Sequence, residues 1–252
     1  MKKLLWLPLL AVPFLAALAE PALAQDAGLL NIDVDDDLLS SRRIFQLIML
    51  ITVLSLAPSI VMMVTSFTRI VIVLSFLRTA MGLQNTPPNI VLISLAMFLT
   101  LFIMAPTLEK AYEEGIGPYL EDRISEEVAI KNTVDPFRDF MGAQVGDKEL
   151  DLFVGMLQEP PETIESARDV PLQALVPAFM ITELRRAFEI GFLLFLPFLV
   201  IDLAVASILM SMGMMMLPPV IISLPFKVIF FVLIDGWTLL TGSLVQSFNV
   251  NI

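Results

Sequence analysis

Apolar residues in this chain come in long blocks, not in the period-2 alternation of strands. Four blocks approach the twenty or so residues needed to cross a bilayer core. The first is 44–64, "IFQLIMLITVLSLAPSIVMMV", where Pro58 predicts a kink. The second is 89–107, "NIVLISLAMFLTLFIMAPT". The third is 188–209, with Pro197 inside, and the fourth is 219–240, with Pro225 inside. A shorter block, "LLWLPLLAVPFLAALA" at 4–19, follows Lys2 and Lys3 and precedes a small-x-small site at Ala22 and Ala24. That order predicts a signal peptide over 1–24, cleaved after Ala24, in preference to a first membrane anchor.

The polar positions divide the rest. Residues 25–43 form a short acidic stretch containing "DVDDD", read as a solvated tail outside the cytoplasm. Residues 108–182 hold 16 acids against 6 bases, a net charge of −10. Their apolar residues recur at mixed spacing, as in "RDFMGAQV" and "LDLFVGMLQ", which predicts short amphipathic helices. The expected fold is an all-α membrane protein. Four hydrophobic helices pack as two hairpins, 44–107 and 183–252, around an α-helical periplasmic insert at 108–182.

Topology follows from the leader. With residue 25 outside, residues 65–88 become a cytoplasmic loop carrying Arg69 and Arg78 and no acid, as the positive-inside rule asks. Arg42, Arg43, Arg185 and Arg186 then fall on the wrong side, which suggests helices that do not all meet lipid in the ordinary way. A faint echo links the hairpins: "MGLQNTPPNI" from Met81 and "MGMMMLPPVI" from Met212 share Met-Gly and Pro-Pro-x-Ile in register.

Composition agrees with the pattern. The 252 residues are 57% hydrophobic and 16% charged, with mean hydropathy +0.85. Soluble domains sit nearer 45–50% and about 25%. Cysteine and histidine are absent, which removes disulfides, thiolate nucleophiles, Cys/His metal sites and imidazole bases. No cofactor or metal site is expected. The net charge of −11 argues against nucleic acid as a partner.

The turn "SMGMMMLPP" between the third and fourth blocks carries no charge. Gly213 weakens the helix before it, and Pro218 and Pro219 stop any continuation. Met214, Met215 and Met216 are then expected to leave the helix on an irregular turn. The plain alternative is the end of a buried helix. Copies of such a turn around an axis form a ring of thioethers, dry enough to impede ions and soft enough to part around a polypeptide.

Charged residues inside the blocks need partners, because each costs about 2.5–3.5 kcal/mol at mid-membrane on the insertion scale. Glu183 heads the third block, Asp202 lies inside it, and Lys227 and Asp235 lie inside the fourth. Lys227 reads as the only internal base, paired with Glu183 or Asp202 of its own or a neighbouring chain. Structural pairing, a small-solute channel or transporter site, and an intramembrane aspartyl protease dyad of Asp202 and Asp235 are three readings of this set. "IDLAV" and "IDGWT" lack the Gly-x-Gly-Asp setting of such proteases, and no Walker loop is present. An enzyme is not expected.

The stretches "VLSFLRTAMGLQNTPPNIVLISLAMFLTLFIMAP", "LVPAFMITELRRAFEIGFLLFLPFLVIDLAVASILMSMGMMMLPP" and "LPFKVIFFVLIDGWTLLTGSLVQSF" resemble the FliP family of flagellar type III export gates. The resemblance covers 44–248. It implies a pore-forming subunit of the flagellar protein export apparatus, in the bacterial inner membrane at the flagellar basal body. It also implies a homo-oligomer of five copies, joined by FliQ and FliR into a helical pore that passes unfolded flagellar proteins. Other export-apparatus membrane proteins and the lipid bilayer are further expected partners. The family's triple methionine falls on Met214, Met215 and Met216, at the constriction.

Overall fold

The computed structural model describes residues 41–248 apart from 84, 162, 163, 165, 215 and 216. The signal peptide expected at 1–24 and nearly all of the acidic tail lie outside the described residues. The chain forms two compact units, residues 1–61 and 62–252. All regular elements among the described residues are helical.

In the first unit the described element is helix α1, Ser41–Met63, whose last two residues belong to the second. Leu50, Ile51 and Leu54 are exposed apolar side chains on it. Two of its hydroxyls bond within the helix: Thr52 and Ser55 donate to the carbonyls of Ile48 and Ile51 at 2.8 Å. Hydroxyls bonded to their own helix suit an apolar surround.

The second unit is built on helix α2, Phe67–Ala80. Sequence reading expects a loop at 65–88; the structure has a helix there. The reason lies in "FTRIVIVLSFLRTA", where Ile70, Val73, Leu74, Leu77 and Ala80 fall on one helical face and are all buried. Against this face pack Leu92, Ala96 and Ile103 of helix α3, Asn89–Ala111, so α2 and α3 make the first hairpin. Within the second unit, the arm that pairs with α3 is therefore the segment that the sequence reading gives as a loop. Helix α3 continues through a π-helical segment, Tyr112–Ile116, into the short helix α4, Gly117–Leu120.

The insert is helical. It contains α5, Glu126–Gln144, and α6, Asp147–Val154, each with acids in its first turn that favour the positive helix end. Met141 of α5 packs with Val170, Ala174, Leu175 and Phe179 in a second core. Three of these belong to helix α7, Leu172–Ser211, which starts well before the third apolar block. Arg138 Nη1 donates to the Val170 carbonyl at 2.8 Å and the Arg168 carbonyl at 3.2 Å, tying the loop before α7 to α5.

The 40-residue α7 crosses both cores. At Gly191 it comes so close to α2 that a Cβ would sit 2.4 Å from the Phe76 ring. Helix α8, Pro219–Leu233, returns from the methionine turn. The fourth apolar block is then broken: Ile234 and Asp235 separate α8 from helix α9, Gly236–Gln246, and the two are bent by 64°. Among the described residues there are two to four membrane-spanning candidates. Asn89–Leu120 and Leu172–Ser211 qualify alone, and two bent pairs qualify if each counts as one span.

Candidate functional site

The methionine turn begins with a defined helix stop. Helix α7 ends at Ser211, and Gly213 adopts φ +75°. The Gly213 N–H donates to the Met210 carbonyl, and the Met214 N–H to the Leu209 carbonyl, both at 3.0 Å. This is the Schellman arrangement, in which the residue after the cap takes the left-handed conformation that glycine adopts without strain. Pro218 caps α8 and Pro219 begins it, where a missing N–H costs nothing. Met214 thus lies outside both helices and is half-buried, and Met212 and Leu217 are exposed. Met215 and Met216 lie outside the described residues.

The first hairpin repeats this construction. Gly82 adopts φ +77°, its N–H donates to the Thr79 carbonyl at 2.9 Å, and the Leu83 N–H donates to the Arg78 carbonyl at 3.2 Å. Pro88 caps α3. The Met-Gly and Pro-Pro echo is therefore one helix-stop, helix-start device used twice.

A buried charge cluster holds the elements behind the turns. Arg69 of α2 and Glu183 of α7 form a bidentate pair, with Nε–Oε2 at 2.8 Å and Nη2–Oε1 at 2.5 Å. Arg69 Nη1 donates to the carbonyl and the hydroxyl of Ser247 at 3.0 and 2.9 Å, and Nη2 donates to Gln144 Oε1 at 3.2 Å. All five guanidinium N–H groups have acceptors. The Phe248 ring lies 3.6 Å from the Arg69 guanidinium carbon, and Gln144 Nε2 donates to the Phe248 carbonyl at 3.1 Å. One arginine thus joins the first hairpin, the insert, α7 and the end of α9.

A second pair lies nearer the turns. Lys227 Nζ of α8 is 2.7 Å from Asp202 Oδ2 of α7 and donates to the Ala80 carbonyl at 3.2 Å. Ser223 Oγ donates to Asp202 Oδ1 at 2.5 Å. Within the chain Lys227 therefore meets Asp202, and Glu183, its alternative partner in the sequence reading, meets Arg69. Lys227 is not the only internal base. A loop reading of 65–88 puts Arg69 in water, although its helix-spaced apolar neighbours are a usable signal of burial. Gln144, Ser223, Ser247 and Phe248 carried no local signal.

Asp235 is brought to neither pair. It sits exposed in the break between α8 and α9 at φ +52°, a conformation Asp tolerates better than most residues. The Asp202 carboxylate is engaged by Lys227 and Ser223, not by a second acid sharing a proton. No group of three metal-ligating side chains occurs among the described residues.

On α7, Arg185 Nη1 reaches Glu149 Oε1 of α6 at 3.2 Å. Arg168 grips Asp139 through Nε at 2.9 Å and Nη2 at 2.5 Å. That grip holds the Asp139 carboxyl below its usual range, against a smaller opposing effect of burial.

Long apolar helices, buried charge pairs and an uncharged turn define a helical membrane protein. The FliP family model matches residues 50–244. Flagellar biosynthetic protein FliP of Caulobacter vibrioides is 56% identical over 242 residues, 94% of this chain and 90% of that one. FliP of Bacillus subtilis is 53% identical over 203 residues, 81% of this chain and 91% of that one. FliP of Aquifex aeolicus is 48% identical over 204 residues, covering 81% and 85%. The chain belongs to the FliP family. It is a membrane component of the flagellar export apparatus and not an enzyme. Its apolar helices fit the inner membrane.

Proposed function

We propose that this chain is a pore-forming subunit that passes unfolded flagellar proteins across the inner membrane, with Met214, Met215 and Met216 sealing the constriction. In this reading several copies, five by family resemblance, surround one axis together with FliQ and FliR. The observation that carries it is the helix stop at Gly213. It ends α7 before Met214, so that an uncharged, polarizable side chain lies on a turn outside both helices. Thioethers neither hold water as carboxylates do nor resist reshaping as β-branched side chains do, so a ring of them is both dewetting and compliant. Buried charge pairs behind the turn provide the stiff frame such a soft tip needs.

The test is the triple variant Met214→Ala, Met215→Ala and Met216→Ala, in cells with the rest of the apparatus present. Small-ion leakage across the inner membrane should rise while flagellar export persists. Unchanged conductance in an assembled triple variant overturns the seal.

A further inference from the structure

A furrow of about 420 Å³ runs between α7, α8 and α9. Leu193, Leu194, Pro197, Phe230, Leu239 and Leu240 line it, and Ser243 and Ser247 supply its only polar side chains. At the roughly 30 Å³ of a water-sized group, it has room for on the order of a dozen methylenes.

One end of the furrow is charged. On α7, Ile190, Leu194 and Pro197 follow one another at helical spacing along the furrow wall, and Arg186 precedes Ile190 by one turn on the same strip. The wall on α9 ends at Ser247. Next to it, Gln144 takes a hydrogen bond from Arg186 Nη1 at 2.8 Å and gives one to the Phe248 carbonyl. Two helices thus independently place Arg186 at the same end.

Arg186 is half-buried, and that neutral amide oxygen is its one hydrogen-bond partner among the described residues. The nearby Glu183 carboxylate is taken bidentately by Arg69. A guanidinium has five donors and matches a phosphate in bidentate geometry.

We propose that this furrow binds an anionic phospholipid, with one acyl chain along the apolar walls and the phosphate on Arg186. An acyl chain brings no backbone polar groups into a wall that offers only two hydroxyls, whereas an extended peptide does. The site is separate from the methionine turn and does not depend on its proposed role.

Native mass spectrometry of the detergent-extracted full chain tests this, using phosphatidylglycerol and phosphatidylcholine with identical acyl chains. The wild-type chain should retain phosphatidylglycerol about fivefold better, the effect of one basic residue at an anionic headgroup. Arg186→Gln should abolish that preference, and Arg186→Lys should keep most of it. Leu193→Trp, filling the furrow, should lower retention of both lipids. Arg185→Gln should leave the preference intact, because Arg185 is engaged with Glu149. Equal retention of the two lipids by the wild-type chain, or a preference that survives Arg186→Gln, overturns the site. The wild-type comparison decides even if Arg186→Gln folds poorly.

Discussion

Lys227 donates to the carbonyl of Ala80 across 3.2 Å, and so completes the C-terminus of a helix on which it does not lie. The last carbonyls of α2 otherwise find backbone donors: Leu77 in Met81, Arg78 in Leu83 and Thr79 in Gly82. Only the Ala80 carbonyl needs a side chain from elsewhere, and an ammonium there also suits the negative end of the helix dipole. The second hairpin is thereby registered on the turn of the first. Lys227 lies eight residues beyond the start of α8, so by the helical rise the methionine turn stands about 12 Å past that contact.

Lys227→Ala should destabilise the detergent-solubilised chain by roughly 3 kcal/mol, the low end for breaking a buried pair. The low end applies because Asp202 is 31% exposed and water can partly replace the ammonium. Lys227→Arg should be milder, and the double variant Lys227→Met with Asp202→Leu milder than Lys227→Ala alone. Thermal unfolding in one detergent provides the comparison. A wild-type midpoint for Lys227→Ala contradicts the registering role.

The pair of Arg69 and Glu183 is almost wholly buried, at 1% and 0% side-chain exposure. Glu183→Gln and Arg69→Gln should each cost about 3–5 kcal/mol, more than any change at the Lys227 pair. Arg69→Gln should also free the end of α9, seen as faster amide exchange at 244–248. Exchange unchanged there would mean that the contacts to Ser247 and Phe248 do not hold that end.

Gly213→Ala and Gly82→Ala should each cost about 1–2 kcal/mol, the price of a left-handed conformation for an L residue. No atom lies within 4 Å of a Cβ built at either position, so sterics add nothing. Asn at either position should recover part of the loss. Equal stability of the Ala and Gly forms would show that the turns relax to another conformation.

Gly191→Ala is the opposite case. The backbone tolerates alanine, but the new Cβ meets the Phe76 ring, and overpacking of this kind costs about 1–3 kcal/mol. Phe76→Leu should rescue it in a double-variant measurement.

Acid should loosen the insert at Asp139. Its folded carboxyl titrates below the unfolded value because Arg168 grips it. The stabilisation is therefore complete above the unfolded value of about 3.9 and fades as pH falls through the folded value. Asp139→Asn should flatten the change in stability between pH 5 and 2, measured by proteolysis of the loop at 155–171. A wild-type acid response in that variant would exclude the pair as its source.

The features legible in the sequence were those set by local rules. Long apolar blocks announced helices, Gly213 with Pro218 announced a helix stop and start, and an intramembrane Lys227 announced a carboxylate partner. The burial of Arg69 is not legible this way, because a 14-residue helix between two longer blocks reads as their connection. Nothing near Arg69 in the chain reveals Glu183, which is 114 residues away.

By itself the sequence determined an all-helical membrane protein, the place of its methionine turn and its kinship, because hydropathy, glycine and proline act on neighbouring residues. Tertiary structure decided which charge met which, which helix formed the first hairpin, and that Asp235 stood apart from both pairs. A buried ion needs its partner in three dimensions, and the partner is chosen by how helices pack, not by how far apart residues lie along the chain.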